Sequence, residues 1–317
     1  MSHVAPDKFV SSDGQAVLKS LLGNVSVESF LSDYWEKKHL YVKGGSPNQF
    51  DALFSPQNLD EFLSRNDVRY PSISMVKDGA ARPLSEYSRP LKIGTYLSEG
   101  LIDMDRVFKG YSNGQTIILQ LMQNGINSLA EFCAKLSVFF RCKVDAHGFL
   151  TPANSQGLSA HYDTASAFLI QLKGAKRWRL YDLAIDAPCS EQTFDSRNPI
   201  KGAPIDEIVL NAGDVLYLPR GLPHEGLALK SESLHLTVVL FPKTWLEILG
   251  SALAVCEVND EEFRKAPPEL FGESGMPELK NNLAVFAAKL RDHVPQENLK
   301  GINLTTPNFR RGRWIKP

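Results

Sequence analysis

Cysteine is scarce in this chain and never paired. The four residues, Cys133, Cys142, Cys189 and Cys256, lie far apart with no C-x-x-C spacing, which argues against a zinc knuckle or a disulfide framework and fits a reducing compartment. No apolar run approaches the roughly 18 residues that a spanning helix requires. The opening MSHVAPDKFV lacks the charged-then-apolar order of a signal peptide. A soluble cytoplasmic protein without a membrane partner is expected. An excess of either charge sign is missing as well: lysine and arginine total 35 against 36 acidic residues, for a formal net charge of -1. No global field is therefore available to hold a nucleic-acid backbone, and the basic tail RRGRWIKP from Arg310 to Pro317 reads as a solvated terminus. Internal repeats and low-complexity stretches are also lacking. What remains is 317 residues with 43% hydrophobic content, enough for a large core in one extended domain or two ordinary ones.

Helix and strand signals mix in the first third. In SVESFLSDYWEKK, Phe30, Leu31, Tyr34 and Trp35 fall on one helical face, and HLYVKG then alternates up to a break at Gly44 and Gly45. Ser55 is expected to cap a helix with Pro56 at its first position. Ser128 and Glu131 read as a capping box before the apolar stripe Leu129, Phe132, Cys133, Leu136 and Phe140. From about Lys143 the pattern changes to short strands: KVDAHGFLTP, ASAFLIQL, KRWRLYDL, DEIVL, DVLYLP and SLHLTVVLF. The linkers KGAK and NAGD read as tight hairpins. Several short antiparallel strands in a row indicate a barrel or double-sheet jelly roll, not a parallel α/β sheet. Beyond Pro242 helical spacing returns at Trp245, Ile248, Leu249, Ala252, Leu253 and Cys256, then at Leu279, Leu283, Phe286, Ala287 and Leu290. These stripes need a partner, either the barrel or a second copy of the chain.

The chemistry concentrates in LSAHYDTASAFLIQLKGAKRWRLY. Residues two apart in a strand point the same way, so His161 and Asp163 project to one face while Tyr162 faces the other. Two histidines and one carboxylate on one face of an octahedron hold iron(II) in oxygenases and leave three positions open. Alone, such a pair is also found as an ordinary solvated histidine beside an aspartate, so a third ligand is required. His224 is the best candidate: it follows DVLYLPRGLP, where Pro219, Gly221 and Pro223 stiffen the chain. His235 in SLHLTVVLF is the competitor, otherwise a core histidine beside the site; His3, His39, His147 and His293 have no comparable company. Lys176, alternating with Trp178 and Leu180, heads an apolar face. Such a lysine is costly unless it meets an anion; the other reading is an exposed hairpin lysine.

The order of segments adds to this. ESFLSDYWEKKHLYVKG, SMVKDG, GQTIILQ, LTPANSQGLSAHYD, FLIQLKGAKRWRLY, GDVLYLPRGLPHEG and SLHLTV, over about residues 25 to 245, resemble in sequence and order the JmjC-type iron(II)- and 2-oxoglutarate-dependent oxygenases, most of all their ribosomal-protein hydroxylase (ribosomal oxygenase, cupin-like) branch. The resemblance implies an α+β fold with a mainly β core, the double-stranded β-helix or jelly roll. A mixed α/β region over 1–114 would pack on the barrel, the JmjC core would span 115–245, and a helical region over 246–317 would serve dimerisation, with too little chain for a complete winged-helix domain of the kind relatives carry. It implies iron held by His161, Asp163 and His224, with Lys176 pairing to the distal carboxylate of 2-oxoglutarate. Dioxygen would be consumed, a side chain of a protein or peptide hydroxylated, a ribosomal protein among the candidates, and succinate and CO2 released. Alternatives are the same chemistry on a small molecule or modified nucleoside, N-methyl demethylation, and a non-catalytic metal-binding cupin scaffold. Two departures from relatives stand out: Phe149 in the face His147, Phe149, Thr151, and Val239, where relatives tend to keep polar or phenolic side chains that help hold the cosubstrate.

Overall fold

The computed structural model describes residues 12–65, 67–266 and 276–293; the basic tail lies outside them. They fall into two compact units, one ending at Phe241 and the other beginning at Pro242. In chain order the first unit contains α1 (Ser12–Leu22), α2 (Val27–Ser29) running into a π-helical turn (Phe30–Tyr34), β1 (Leu40–Val42), α3 (Pro56–Leu63), β2 (Ile73–Lys77), β3 (Ala80–Ala81), β4 (Ser88–Ile93), β5 (Tyr96–Ile102), α4 (Met104–Ser112), β6 (Thr116–Leu119) and α5 (Asn127–Phe140). It continues with β7 (Lys143–Thr151), β8 (Ser166–Lys173), β9 (Ala175–Leu180), β10 (Asp206–Asn211), β11 (Val215–Leu218), β12 (His224–Ala228) and β13 (Ser233–Phe241). The second unit contains α6 (Trp245–Asn259) and α7 (Met276–His293).

Two antiparallel sheets make the jelly roll. The larger has the order β1-β11-β8-β13-β7-β6-β2-β3 and the smaller β10-β9-β12; β4 and β5 form a separate hairpin. The large sheet is buried on both faces, which is why β8 reads as a continuous apolar run and does not alternate. Its Ala167 and Leu169 turn inward, where they meet Trp178 and Leu180 of β9 and Leu216 and Leu218 of β11. Phe168 and Ile170 turn outward into a second core with Leu18, Leu21 and Leu22 of α1, Phe62 of α3 and Leu129, Cys133 and Leu136 of α5. Strands β1, β2, β3 and β6 extend the same sheet, so the N-terminal elements complete the fold on which the barrel rests.

Several expectations change. KGAK and NAGD are corners between the sheets and not hairpins: β8 and β11 belong to the large sheet, β9 and β10 to the small one. Gly174 makes the sharpest of these turns, with φ +68 and no room for a side chain, since a Cβ would lie 1.9 Å from the Glu232 carbonyl oxygen. Leu31 leaves the face it was expected to share. The turn at Phe30–Tyr34 is π-helical, the Trp35 N–H donating to the Phe30 carbonyl at 2.9 Å, so five residues rather than four separate partners on one face. Trp35 stacks on Phe140 with centroids 4.6 Å apart, while Leu31 stays 40% exposed. Ser55 caps α3 as expected, in a reciprocal box with Asn58 that contributes about 1 kcal/mol. The Ser128 box does not form: α5 begins at Asn127, and the Ser128 hydroxyl donates to the Leu53 carbonyl at 2.7 Å, a tertiary bond replacing the local one.

The second unit is helical, as the spacing predicts. Thr244 and Glu247 form a capping box at the start of α6, and Phe263 meets the Phe286 ring of α7 edge-on at 4.9 Å. The α6 stripe divides: Ala252 and Cys256 are buried, whereas Trp245 and Leu246 are 78% and 80% exposed and Leu249 and Leu253 remain open beside them. No helix among the described residues is long and apolar enough to cross a membrane.

Candidate active site

The jelly roll builds its site by alternation. Along β7 and β13 the even-numbered residues Ala146, Leu150, Leu234, Leu236 and Val238 join the helical core. The odd-numbered His147, Phe149, His235, Thr237 and Val239 line a cavity of about 290 Å³ between the sheets. The facing wall is Lys176 and Trp178 of β9 with His224 and Gly226 of β12, and the 157–165 segment closes one side.

His161, Asp163 and His224 converge here, their ligating atoms all within 4.8 Å of one another. His161 lies outside any regular strand but makes an isolated bridge to His224: the His161 N–H donates to the His224 carbonyl at 3.1 Å and the His224 N–H to that of His161 at 2.8 Å. Two backbone hydrogen bonds thus set the ligands side by side, although the expected strand around Asp163 is not formed. The Gly221 N–H donates to the Asp163 carbonyl at 2.8 Å and anchors that residue in turn. His224, expected at the end of a preceding strand, instead opens β12.

Both imidazoles present the same nitrogen. His161 Nδ1 lies 2.8 Å from the Ser159 carbonyl oxygen and His224 Nδ1 lies 3.0 Å from that of Leu222. A carbonyl only accepts, so in each neutral ring Nδ1 carries the proton and Nε2 keeps a free lone pair. Those Nε2 atoms stand 3.9 Å and 3.7 Å from the Asp163 carboxylate oxygens. Burial, with His161 adding repulsion, pushes the His224 pKa down to about 4, so its ring is unprotonated at neutral pH. Two imidazole lone pairs and one carboxylate are the donor set of a mononuclear metal site with open positions. Asp163, its side chain 48% exposed, marks the mouth. Tyr162 and Phe194 meet edge-on there with centroids 5.7 Å apart.

His235 does not join this cluster. Its ring stacks on Phe149, centroids 4.8 Å apart and planes 12° from parallel, and it is 1% exposed. Lys176 is neither a hairpin residue nor exposed: at 4% exposure, burial pushes its pKa down to about 7. Its ammonium lies 3.4 Å from Thr151 Oγ1, which also accepts from the Thr116 hydroxyl at 3.2 Å. These threonines, with Trp178 and Gly226, are the site residues that sequence reasoning missed. Thr151 does follow Phe149 in the same alternation, and Gly226 falls two residues after His224 in β12. A Cβ at Gly226 would lie 2.7 Å from Lys176 Cε and 3.1 Å from the Trp178 ring, so the glycine gives the lysine its channel. His39, set aside earlier, pairs with Asp206 at 3.0 Å and does not line the cavity.

A model of the JmjC domain matches residues 120–248. The bifunctional lysine-specific demethylase and histidyl-hydroxylase NO66 of Drosophila melanogaster is 34% identical over 237 residues, 72% of this chain and 34% of that protein. NO66 of Dictyostelium discoideum is 33% identical over 271 residues, 83% of this chain and 50% of the relative. The chain thus spans half or less of the length of these relatives. Among solved structures, YcfD, a ribosomal oxygenase from Escherichia coli in complex with cobalt and 2-oxoglutarate, superposes with a TM-score of 0.57 at 18% identity, over 90% of this chain and 73% of that one. At that identity the likeness is one of fold. The family match covers the strands that build the cavity, and the chain belongs to the JmjC-domain family.

Proposed function

We propose that the protein is an iron(II)- and 2-oxoglutarate-dependent hydroxylase acting on an amino-acid side chain of a protein or peptide. The observation that carries this reading is the pairing, in one cavity, of a His-Asp-His donor set with a buried lysine that has no carboxylate partner among the described residues. The donor set fits iron(II), and the lysine fits the far carboxylate of the cosubstrate. When bound, the metal and 2-oxoglutarate supply the oxidation: dioxygen is consumed, the cosubstrate becomes succinate and CO2, and one oxygen atom enters a C–H bond of the substrate.

The chain's own residues hold and shield. His161, Asp163 and His224 bring their ligand atoms together and would hold the metal, three protein ligands leaving further positions for cosubstrate and dioxygen. Phe149, Leu169, Trp178 and Val239 form an apolar lining that keeps bulk water from the reacting centre. The half-exposed Asp163, flanked by Tyr162 and Phe194, leaves the metal end open to an incoming side chain. The names of the relatives, a histidyl-hydroxylase and a ribosomal oxygenase, support a protein substrate, with a ribosomal protein as the first candidate. Four cysteines outside any disulfide, three of them buried, agree with a cytoplasmic setting. Incubation with iron(II), 2-oxoglutarate and a ribosomal-protein panel should yield succinate and a product heavier by one oxygen atom in mass spectrometry. Succinate formed only with small molecules or nucleosides would replace the substrate class; loss of a methyl group would indicate demethylation; no succinate with any substrate would leave a metal-binding scaffold.

The division of labour we propose follows three segments: 1–114 frames the barrel, 115–245 carries the chemistry and 246–317 pairs subunits. The exposed band Trp245, Leu246, Leu249 and Leu253 supports a homodimer, because adjacent large apolar side chains on one helix rarely stay in water. Sedimentation at micromolar concentration should give a dimer, and Trp245→Glu with Leu249→Glu should give a monomer. A wild-type monomer would remove the claim.

A further inference from the structure

Two rings of the cavity wall carry nitrogens that the fold leaves unpaired. Trp178 Nε1 and His235 Nδ1 are buried and have no hydrogen-bond partner among the described residues, and both side chains line the cavity beside Lys176. Leaving such groups unmet is unfavourable. The lysine ammonium sits 5.0 Å from the Trp178 ring centroid, and the His235 ring meets that indole edge-on at 5.3 Å, 88° between planes. Phe149 stacking on the other side leaves the imidazole little freedom to turn away. Asp163 is the one carboxylate among the lining residues, and it belongs to the metal end. Apart from the Thr116 and Thr151 hydroxyls, this end of the cavity therefore presents an ammonium and two unpaired ring nitrogens with no carboxylate beside them among the described residues.

Resting on the reading of the site as a 2-oxoglutarate pocket, we propose that His235 and Trp178 are cosubstrate-binding residues that join Lys176 in a three-donor clamp on the distal carboxylate. A carboxylate offers about four lone-pair sites, enough for an ammonium, an imidazole N–H and an indole N–H at once. Neither ring would then be a passive wall. The clamp gives the pocket its preference for a dicarboxylate over a monocarboxylate of the same chain length, and the aromatic support from Phe149 replaces a hydroxyl in orienting the donor.

The test uses the full chain loaded with zinc(II), which binds without turnover, and calorimetric titration with 2-oxoglutarate and with 2-oxopentanoate, which lacks only the distal carboxylate. His235→Phe keeps the stack on Phe149 and removes the nitrogen atoms. It should weaken 2-oxoglutarate about tenfold and leave 2-oxopentanoate unchanged; Trp178→Phe should show the same selectivity, and His235→Gln, which keeps a donor, should recover part of the loss. Equal weakening of both ligands would mean that His235 only shapes the fold, and no weakening would mean that it contributes no donor; either result overturns the proposal. If wild-type protein itself fails to distinguish the two ligands, the cosubstrate reading of the cavity falls first and the clamp with it. Should His235→Phe not fold, the comparison of His235→Gln with Trp178→Phe decides in the same way.

Discussion

Asp163→Ala, His161→Ala and His224→Ala are each expected to abolish iron-dependent turnover and to weaken metal binding by at least about a hundredfold. Removal of groups that merely orient a ligand already costs roughly 10- to 100-fold, and here one of three direct protein ligands is lost. The fold should survive each change. The reciprocal bonds between residues 161 and 224 and the bond from Gly221 to residue 163 run through the backbone, which alanine retains. Cobalt(II) titration followed by its visible bands measures the affinity, and circular dichroism checks the fold. His235→Ala is the control: its ring stands off the His-Asp-His cluster, stacked on Phe149, so metal affinity should stay near that of the wild type. A loss as large as that of His224→Ala would exchange the two histidines' roles and undo the assignment of the third ligand.

The two competing histidines show what the sequence makes legible. Alternation along SLHLTVVLF correctly sets His235 on the same face as Thr237 and Val239, and that face lines the cavity. Alternation does not reveal how far along the strand the metal end lies, because this depends on pairing between distant segments: His161 with His224, and His224 with Leu180. The same limit explains the linkers. KGAK and NAGD carry the residues of tight turns, yet whether a turn pairs its strands or carries the chain to the opposite sheet depends on distant strand pairing, and the backbone at Gly174 and Gly213 lies against Glu232 and Ser46, far away in sequence. Local signals serve better where the physics is local, as in the Ser55 cap or the helices after Pro242. The polar groups near Phe149 and Val239 owe their position to tertiary placement and not to a local signal: the Thr151 and Thr116 hydroxyls beside Lys176, and the ring nitrogens of His235 and Trp178.

Lys176→Ala should weaken 2-oxoglutarate binding by about 10- to 100-fold, as expected for losing a charge-assisted contact worth about 1.5 to 3 kcal/mol, while metal affinity stays unchanged. The wild-type protein should also carry a pH signature that the variant lacks. Burial holds the Lys176 pKa at about 7, and a carboxylate against the ammonium raises it. Below pH 7 the lysine is protonated with or without ligand, so affinity is level there. Above pH 7 the free pocket loses the proton and the occupied pocket keeps it; binding then takes up a proton, and affinity falls by up to about tenfold per pH unit. The two buried histidines beside the lysine do not blur this slope. His224 titrates near 4 and His235 well below its ordinary value, in both cases chiefly through burial, so neither changes charge above pH 7. Lys176→Met, similar in volume and without the buried amine, should bind 2-oxoglutarate as weakly as Lys176→Ala, show no pH slope, and melt no lower than wild type, since it removes a desolvated charge that the empty cavity leaves without a counter-ion. Titrations of 2-oxoglutarate at pH 6, 7, 8 and 9 into the anaerobic iron-loaded proteins, followed by the metal-to-ligand absorption band, measure all of these at once. An identical pH profile in wild type and Lys176→Met would place the proton elsewhere, and equal affinity in the two proteins would show that the cosubstrate does not reach the lysine.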